Sequence, residues 1–263
     1  MMSSFVAVTL AASLVVGQTG GKPSKTKQNA AKPAAKITKT AAMVKLEKDT
    51  GCSITVNDPS DGLVTAQING PKGTDAVMDE FVKIKGLDAV IVQKGLITDK
   101  GVAALTTVTT LTTLRLIDCE KLTPACFKDI VKLPNLADLQ MSIVAIESDE
   151  LKALAAKKSL RILSLRSAGL TDADLAVFAG NTHIVSLGLF GNDGIKGRGL
   201  KSLHGMKQLQ FVNVVGTHAS ARQITLLKKA VEDLGGAIEV NGKGGLLGLA
   251  KVKNPPPRPE DGN

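Results

Sequence analysis

The sequence predicts an α/β solenoid, in which a strand followed by a helix forms a unit that is stacked many times along the chain. One observation is a strand pattern, L-x-x-L-x-L with apolar substitutes, that begins seven times at intervals of 24 or 25 residues. A second is a pair of apolar residues spaced i and i+3, about ten residues after each strand, which lie on one face of a helix. A third is a core-forming composition with six Phe and no Trp or Tyr. Layers of Leu, Val and Ile can pack without large rings.

The elements follow in order from these patterns. The predicted strands begin at Leu63, Leu87, Leu111, Leu136, Leu160, Ile184 and Leu209, and a shorter eighth copy contains Ile238 and Val240. The predicted helices contain the pairs Met78/Phe81, Val102/Leu105, Phe127/Ile130, Leu151/Leu154, Leu175/Phe178, Leu200/Leu203 and Ile224/Leu227. Four helices are preceded by an aspartate that we expect to accept first-turn amides: Asp75, Asp99, Asp149 and Asp172.

The strand pattern and its period resemble the leucine-rich repeat, whose signature is L-x-x-L-x-L-x-x-N/C with 20–29 residues per copy. The Thr-Asp steps at Thr98 and Thr171 are similar to ribonuclease-inhibitor-like repeats and to exported bacterial leucine-rich repeat proteins. The resemblance covers residues 63 to about 240. It implies a right-handed horseshoe with a parallel sheet on the concave face and helices on the convex face. The Asn/Cys column departs from the signature, since only Cys119 and Asn192 fit it.

Other segments flank the predicted repeat domain, which comprises residues 63–245 with about seven repeats and a terminal strand. Residues 1–17 are typical of a secretory signal peptide, because the apolar run 5–16 is too short to span a bilayer. No Lys or Arg precedes that run, so an uncleaved anchor and a non-targeting segment remain as alternatives. Residues 43–62 predict an N-terminal cap made of a helix and an edge strand. Residues 246–263 predict a Pro-rich tail.

The segment 18–42 has six Lys and no acidic residue. This Lys/Ala-rich composition predicts a disordered linker, which acts either as a spacer or as a tether to an anionic surface. The net charge of the chain is +9. The linker and the C-terminal tail supply most of that charge, which leaves the cap and the repeats together with about +1. A nearly neutral domain without Tyr or Trp makes nucleic-acid binding unlikely as its function, and no transmembrane span is predicted.

The sequence contains no motif that indicates an enzyme, a metal site or a cofactor. GxSxG, HExxH and Walker patterns are absent, as is any Cys/His cluster with metal-ligand spacing. The three histidines are expected to be solvated loop residues. A glycine-rich turn either cradles an anion or simply lengthens one repeat, and we favour the second interpretation; its glycines are Gly191, Gly194, Gly197 and Gly199.

The three cysteines cannot all pair within one chain. Cys119 falls in the Asn/Cys column and is expected to be a buried polar group that satisfies the turn. Cys126 is expected near the start of a helix, where it could be exposed. A local disulfide between Cys119 and Cys126 is the alternative.

We expect the binding surface on the strand residues that alternate with the core, at positions 3, 5 and 7 of each copy. The predicted surface comprises Arg115, Asp138, Gln140, Ile162, Arg166, Phe190, Phe211, Asn213 and Val215. Two outward rings beside Arg166 have the composition of an interface hot spot. Two local interpretations compete with this one. Phe190 could cover the bare backbone of Gly188, and Arg115 could pair with Asp138 on the next strand.

The sequence therefore predicts a non-enzymatic module that binds a protein or peptide on its concave sheet and needs no cofactor. The signal-like segment places it outside the cell, in the periplasm or at the cell envelope. Two alternatives are an envelope-associated structural protein held by its basic linker and an intracellular recruitment adaptor.

Overall fold

The computed structural model describes residues 38–56 and 63–234, and the backbone of residues 239–241. The predicted signal peptide, residues 18–37 of the predicted linker and the Pro-rich tail lie outside the described residues. Within the described residues, no helix is long and apolar enough to cross a membrane.

A single sheet connects nine described strands, which lie side by side in chain order. The strands are β1 (Ser53–Val56), β2 (Val64–Asn69), β3 (Leu87–Gln93), β4 (Thr113–Ile117), β5 (Asp138–Ser142), β6 (Ile162–Arg166), β7 (Ser186–Gly188), β8 (Phe211–Asn213) and β9 (Glu239–Asn241). β1 and β2 are antiparallel, and all later neighbours are parallel. The predicted α/β class and parallel sheet are confirmed.

The strand register keeps the phase of the sequence repeat. Leu114 pairs with Leu139, Leu139 with Leu163, and Leu163 with Leu187. All four side chains are fully buried. A slip of one residue would turn every one of them to the other face of the sheet, so the apolar alternation determines this register.

Helical segments follow the strands, as predicted. They are α1 (Ala41–Thr50), α2 (Asp75–Phe81), α3 (Asp99–Leu105), α4 (Phe127–Ile130), α5 (Ser148–Ala156) and α6 (Ala221–Glu232), with 3-10 segments at Pro124–Cys126, Asp174–Phe178 and Arg198–Leu203. The fifth and sixth predicted helices are 3-10 rather than α-helical. The sixth begins after Gly197, whose φ of 90° is left-handed, and it contains Gly199; glycine is a poor helix former.

The core lies between the sheet and the helical segments. In one unit, Leu160, Leu163 and Leu165 of the strand region pack in the same buried cluster as Leu175 and Phe178 of the helical segment. Each of these side chains is at most 1% exposed. One unit cannot enclose such residues by itself, so neighbouring units complete the core of each other.

At the N-terminal end, α1 and the antiparallel strand β1 precede the first repeat. α1 begins at Ala41 after the N-cap Thr40, whose hydroxyl accepts from the Met43 amide. Glu47 ties this segment together, because it accepts from the Lys39 ammonium at 2.7 Å and from the Ile54 amide at 2.7 Å. α1 and its N-cap therefore begin before the boundary at residue 43 that the sequence predicted.

Two of the predicted capping aspartates bond to the next unit instead of to their own helix. Asp75 accepts from the Thr98 amide at 2.8 Å and from its hydroxyl at 2.7 Å. Asp99 binds Thr123 in the same way, 24 residues further on. The cap position is already occupied by Thr74 or Thr98. The aspartate is therefore the first helical residue, and its carboxylate reaches the neighbouring turn.

The other two aspartates also differ from the prediction. Asp172 accepts from the Gly197 and Gly199 amides at 3.0 and 2.9 Å. Asp149 has a 91% exposed side chain and pairs with Lys152 at 3.2 Å. The prediction that these four residues cap their own helices is wrong, and three of them connect neighbouring units.

Candidate functional site

The strand residues that alternate with the core form the second face of the sheet, named the open face here. Two rows cross it from strand to strand. One row is Thr113, Asp138, Ile162, Ser186 and Phe211, and the other is Arg115, Gln140, Ser164, Gly188 and Asn213. These are the neighbours that the sequence predicted for positions 3 and 5 of each copy.

In the first half of the open face, three predicted binding residues form a closed polar network. Arg115 donates from Nε at 3.2 Å and from Nη2 at 2.5 Å to Oδ2 of Asp138. Gln140 donates from Nε2 to Oδ1 of the same carboxylate at 3.0 Å. The interpretation of Arg115 as a local partner of Asp138 therefore describes the contact that the structure contains.

Two of the nine predicted surface residues are buried, and the expectation that they are exposed is wrong. Asp138 is only 7% exposed, because Arg115 and Gln140 cover its carboxylate. Val215 is 9% exposed. β8 ends at Asn213, whose side chain accepts from the Val215 amide at 3.0 Å, so the strand alternation does not extend to position 7.

The second half of the open face carries half-exposed apolar groups. The guanidinium carbon of Arg166 lies 4.8 Å from the ring centroid of Phe190, which is a cation–π distance. Ile162 and Phe211 are half-buried and flank Ser186 on either side. We name these four residues, Ile162, Arg166, Phe190 and Phe211, the Phe190 patch.

Small residues occupy the centre of the Phe190 patch. Ser164 and Gly188 pair across β6 and β7, between the row of Ile162 and Phe211 and the strand ends at Arg166 and Phe190. A Cβ at Gly188 would collide with the Ser164 side chain, so the two backbones approach closely here. Gly188 is itself buried, which agrees with the interpretation that its neighbours cover it. The Ser164 side chain therefore occupies the space above Gly188, between the larger groups of the patch.

The turn after each strand from β2 to β8 contains one residue with a left-handed backbone. These residues recur with the repeat: Gly70, Lys94, Asp118, Ile143, Ser167, Gly191 and Gly216. Ile143 has φ of 60°, where a β-branched residue is a true outlier. Its side chain is 47% exposed, and its amide donates to the Arg166 carbonyl at 2.9 Å. Sequence analysis missed Ile143, although the repeat places an apolar residue where three copies have glycine.

The Asn/Cys column performs the structural role that the sequence predicted. The Asn192 carboxamide accepts from the Ala168 and Leu170 amides and donates to the Leu165 and Leu189 carbonyls, all within 3.1 Å. Cys119 occupies the same column, and its Sγ lies 3.7 Å from the Val92 carbonyl. Asn192 therefore satisfies four buried backbone groups. A cysteine in this column can form only weak hydrogen bonds with such groups.

The glycine-rich turn does cradle an anion, and that anion belongs to the protein. The Gly197 and Gly199 amides are occupied by the Asp172 carboxylate. A Cβ at Gly199 would collide with the Asp172 backbone. The turn consequently holds two units together.

The cysteines are free and buried. The alternative of a Cys119–Cys126 disulfide is wrong, and so is the expectation that Cys126 is exposed, because its helix face packs into the core. Burial raises the pKa of the Cys126 thiol to about 12. The thiolate is the reactive form of cysteine, so this residue is an inert core group at neutral pH. Among the described residues, no group of His, Cys, Asp and Glu is arranged to hold a metal ion.

Comparison with known proteins gives similarity to solved structures. No family model and no curated protein matches the chain. Among solved structures, internalin C2 from Listeria monocytogenes matches with 18% identity and a TM-score of 0.46, covering 76% of this chain and 93% of the other. The order and register of this chain's own strands establish its fold. Parallel strands that recur every 24 or 25 residues, each followed by a helical segment, form a leucine-rich repeat solenoid.

Proposed function

We propose that this protein is a non-enzymatic interaction module that binds a protein or peptide at the Phe190 patch. The main observation in support of this proposal is that the Arg166 guanidinium stacks on the Phe190 ring on the open face. Aromatic residues and arginine are the side chains most enriched among binding hot spots. The half-exposed rings of Phe190 and Phe211 give a ligand apolar area that water would otherwise cover.

Shape supports the same location. Ile162 and Phe211 stand two strands apart, a spacing of about 10 Å, and only the small side chain of Ser186 lies between them in that row. A side chain of a bound peptide fits between these walls. Arg166 adds a cation at the end of β6, and it is exposed, so we expect an acidic or polar group beside the apolar anchor of the ligand.

The proposed surface extends beyond the strands to Ile143, whose backbone is strained. A non-glycine residue in the left-handed region costs roughly 1–2 kcal/mol. Strained residues of this kind cluster at functional sites. Ile143 is exposed and lies on the turn that leads from β5, bonded to the backbone of Arg166. We therefore include Ile143 in the proposed contact surface, at the edge of the Phe190 patch.

Affinity capture from secreted and envelope fractions tests this function. The bait is the full chain, and the test variant is Phe190→Ala with Phe211→Ala. The matched control is Ile91→Ala with Ile117→Ala, which removes the same kind of outward apolar area from β3 and β4. We expect the native chain and the control to retain a partner that the test variant loses by at least about tenfold.

Loss of the partner on the control bait as well, with both variants folded, would contradict the proposed site. Retention on the Phe190/Phe211 variant would also contradict it. A further bait without residues 18–37 addresses the basic linker while leaving the Lys39–Glu47 contact intact. If that bait alone loses its partner, and if salt weakens the native capture steeply, the linker is the binding element.

Export belongs to the same proposal and is supported by the apolar run in residues 1–17. The expected result is a mature protein whose intact mass lacks the signal peptide. A mass that includes residues 1–17 would favour the intracellular adaptor instead.

A further inference from the structure

A cavity of about 660 Å³ lies away from the Phe190 patch, beside α5 and the loops that lead into β6 and β7. Its lining comes from Lys152, Ala155 and Ala156 of α5, Lys158 and Arg161 before β6, and Val177 and residues 179–183 before β7. The volume falls in the range of small-molecule sites, roughly 300–1,000 Å³. None of the lining residues belongs to the surface proposed above.

The titratable residues that line this cavity are all basic. They are Lys152, Lys158, Arg161 and His183, and no Asp or Glu is among the lining residues. Within the described part of the chain, Lys158 and Arg161 form no ion pair, and Lys152 meets the exposed carboxylate of Asp149. Residues 151–234 carry 12 Lys and Arg against 5 Asp and Glu, so this half of the repeat domain is basic. Within it, the cavity brings four basic residues together with no acidic residue in the lining.

The Arg161 side chain is held in place by the backbone. Arg161 donates from Nη1 to the Lys158 carbonyl and, at 3.3 Å, to the Leu160 carbonyl. Among the described residues, its Nε and Nη2 have no acceptor. A guanidinium fixed at one corner keeps the remaining donors in the planar arrangement that binds phosphate oxygens in pairs.

His183 is positioned by Asn181. The Asn181 carboxamide accepts from the His183 and Ile184 amides at 3.0 and 2.9 Å, and it donates to the Ala155 carbonyl at 2.8 Å. Its Nδ2 also lies 3.3 Å from Nε2 of His183. Burial, followed by the nearby charges of Arg161 and Lys158, lowers the pKa of His183. A bound anion would reverse that electrostatic effect and favour the protonated ring.

We infer that this cavity binds a phosphorylated small molecule, with its phosphate at Arg161 and Lys158 and its carbon part against Ala155, Ala156 and Val177. At least two cations in the cavity have no carboxylate partner among the described residues. A phosphate dianion matches their combined charge better than a ligand with a single carboxylate does. His183 adds a third positive charge once the anion is bound. The apolar side chains along the wall offer contact to the organic part of the ligand.

The test is calorimetric titration of the full chain with phenyl phosphate, benzoate and inorganic phosphate at constant ionic strength. Benzoate has the same ring with one negative charge, and inorganic phosphate lacks the ring. Phenyl phosphate is expected to bind more tightly than either. NMR titration of His183 serves as the local readout, and its pKa is expected to rise on saturation with the anion.

Arg161→Gln is expected to weaken phenyl phosphate binding by at least about tenfold. Lys158→Gln is the second variant in case Arg161→Gln destabilises the loop. Lys128→Gln, an exposed lysine outside the cavity, is the matched control and is expected to bind like the native chain. The inference is overturned if phenyl phosphate does not bind, if benzoate binds equally well, or if binding persists in both cavity variants with no change at His183.

Discussion

Arg115 and Arg166 occupy outward positions two strands apart on the same open face, and their surroundings differ. Arg115 lies in the first half, on β4, where it neutralises the buried carboxylate of Asp138. Arg166 lies in the second half, on β6, where its described contact is the Phe190 ring. The first half therefore satisfies its own polar groups, whereas the second half presents a cation and half-exposed rings to the solvent. Availability for a ligand depends on what a side chain already binds, and not on its column in the repeat.

The two halves also differ in how they are built. β2 and β3 have six and seven residues, while β7 and β8 have three each. Side-chain bonds join neighbouring units in both halves, through Asp75 and Asp99 in the first and through Asn192 and Asp172 in the second. The ladder between β7 and β8 is shorter than the one between β2 and β3, so the bonds of Asn192 and Asp172 act where fewer backbone bonds join the units.

The largest expected effect compares Asn192 with Cys119, which occupy the same column in different halves. Asn192→Ala leaves two buried amides and two carbonyls without their partner, and we expect it to lower the free energy of unfolding by about 3–5 kcal/mol. Cys119→Ala removes only weak sulfur contacts and should cost about 1 kcal/mol. Urea unfolding of both variants measures the difference.

Asn192→Cys refines this comparison, because it places a cysteine, the residue that the first half has in this column, at the corresponding position of the second half. Its cost should fall between those of the two alanine variants. Equal costs for Asn192→Ala and Cys119→Ala would show that the Asn192 carboxamide stabilises its turn no more than the Cys119 sulfur does.

The next effect compares the two arginines directly. Arg115→Ala leaves the Asp138 carboxylate buried without its cation, and we expect a loss of about 1–3 kcal/mol, since Arg115 itself is partly exposed and solvent weakens the pair. Arg166→Ala removes an exposed cation–π contact and should cost less than about 1 kcal/mol. Thermal and urea unfolding provide the two free energies.

The arginine comparison has a second readout in ligand capture. Arg166→Ala should reduce capture of the partner while the protein remains folded, and Arg115→Ala should leave capture intact in the folded fraction. The opposite pattern would move the binding surface to the first half of the open face.

The smallest effect compares the same substitution at two isoleucines. Ile143→Gly relieves the left-handed strain and loses a half-exposed side chain, so its net change in stability should be under about 0.5 kcal/mol. Ile117→Gly removes a half-buried side chain from an extended strand residue and should cost about 1–2 kcal/mol, because glycine gains nothing there. Paired urea unfolding curves test the difference.

Affinity capture of the partner then tests whether Ile143 has a role in binding as well as a strained backbone. Ile143→Gly is expected to weaken binding of the partner, whereas Ser167→Gly, at the next left-handed position, should leave it unchanged. If Ile143→Gly binds normally, the strained residue lies outside the interface.

Much of the fold could be predicted from residue patterns because burial is periodic. The positions of Leu114, Leu139 and Leu163 in consecutive strands follow from the apolar repeat. The repeat also placed Arg115 beside Gln140 and Ile162 beside Ser186. Predictions about single polar side chains succeeded less often. Asp75 and Asp172 were expected to cap helices, and instead they bond to the following unit.

The candidate site shows the same division. The proximity of Arg166 and Phe190 could be predicted, since they occupy the same position in consecutive copies of the repeat. The burial of Val215 could not, because it depends on where β8 ends and on the bond from its amide to Asn213. The cavity at His183 also escaped prediction. Its basic residues come from two neighbouring units, and their convergence depends on how the loops pack.

The sequence by itself determined the repeat, the strand register and the composition of the open face, because a periodic apolar pattern has one arrangement that buries it. The tertiary structure decided which polar groups satisfy each other and which remain available to a ligand. Asp138 is occupied by Arg115, the Gly197 and Gly199 amides are occupied by Asp172, and Arg161 keeps donors without a described acceptor. Hydrogen bonds and ion pairs act over a few ångströms, so these differences arise only when residues about 24 positions apart are brought into contact.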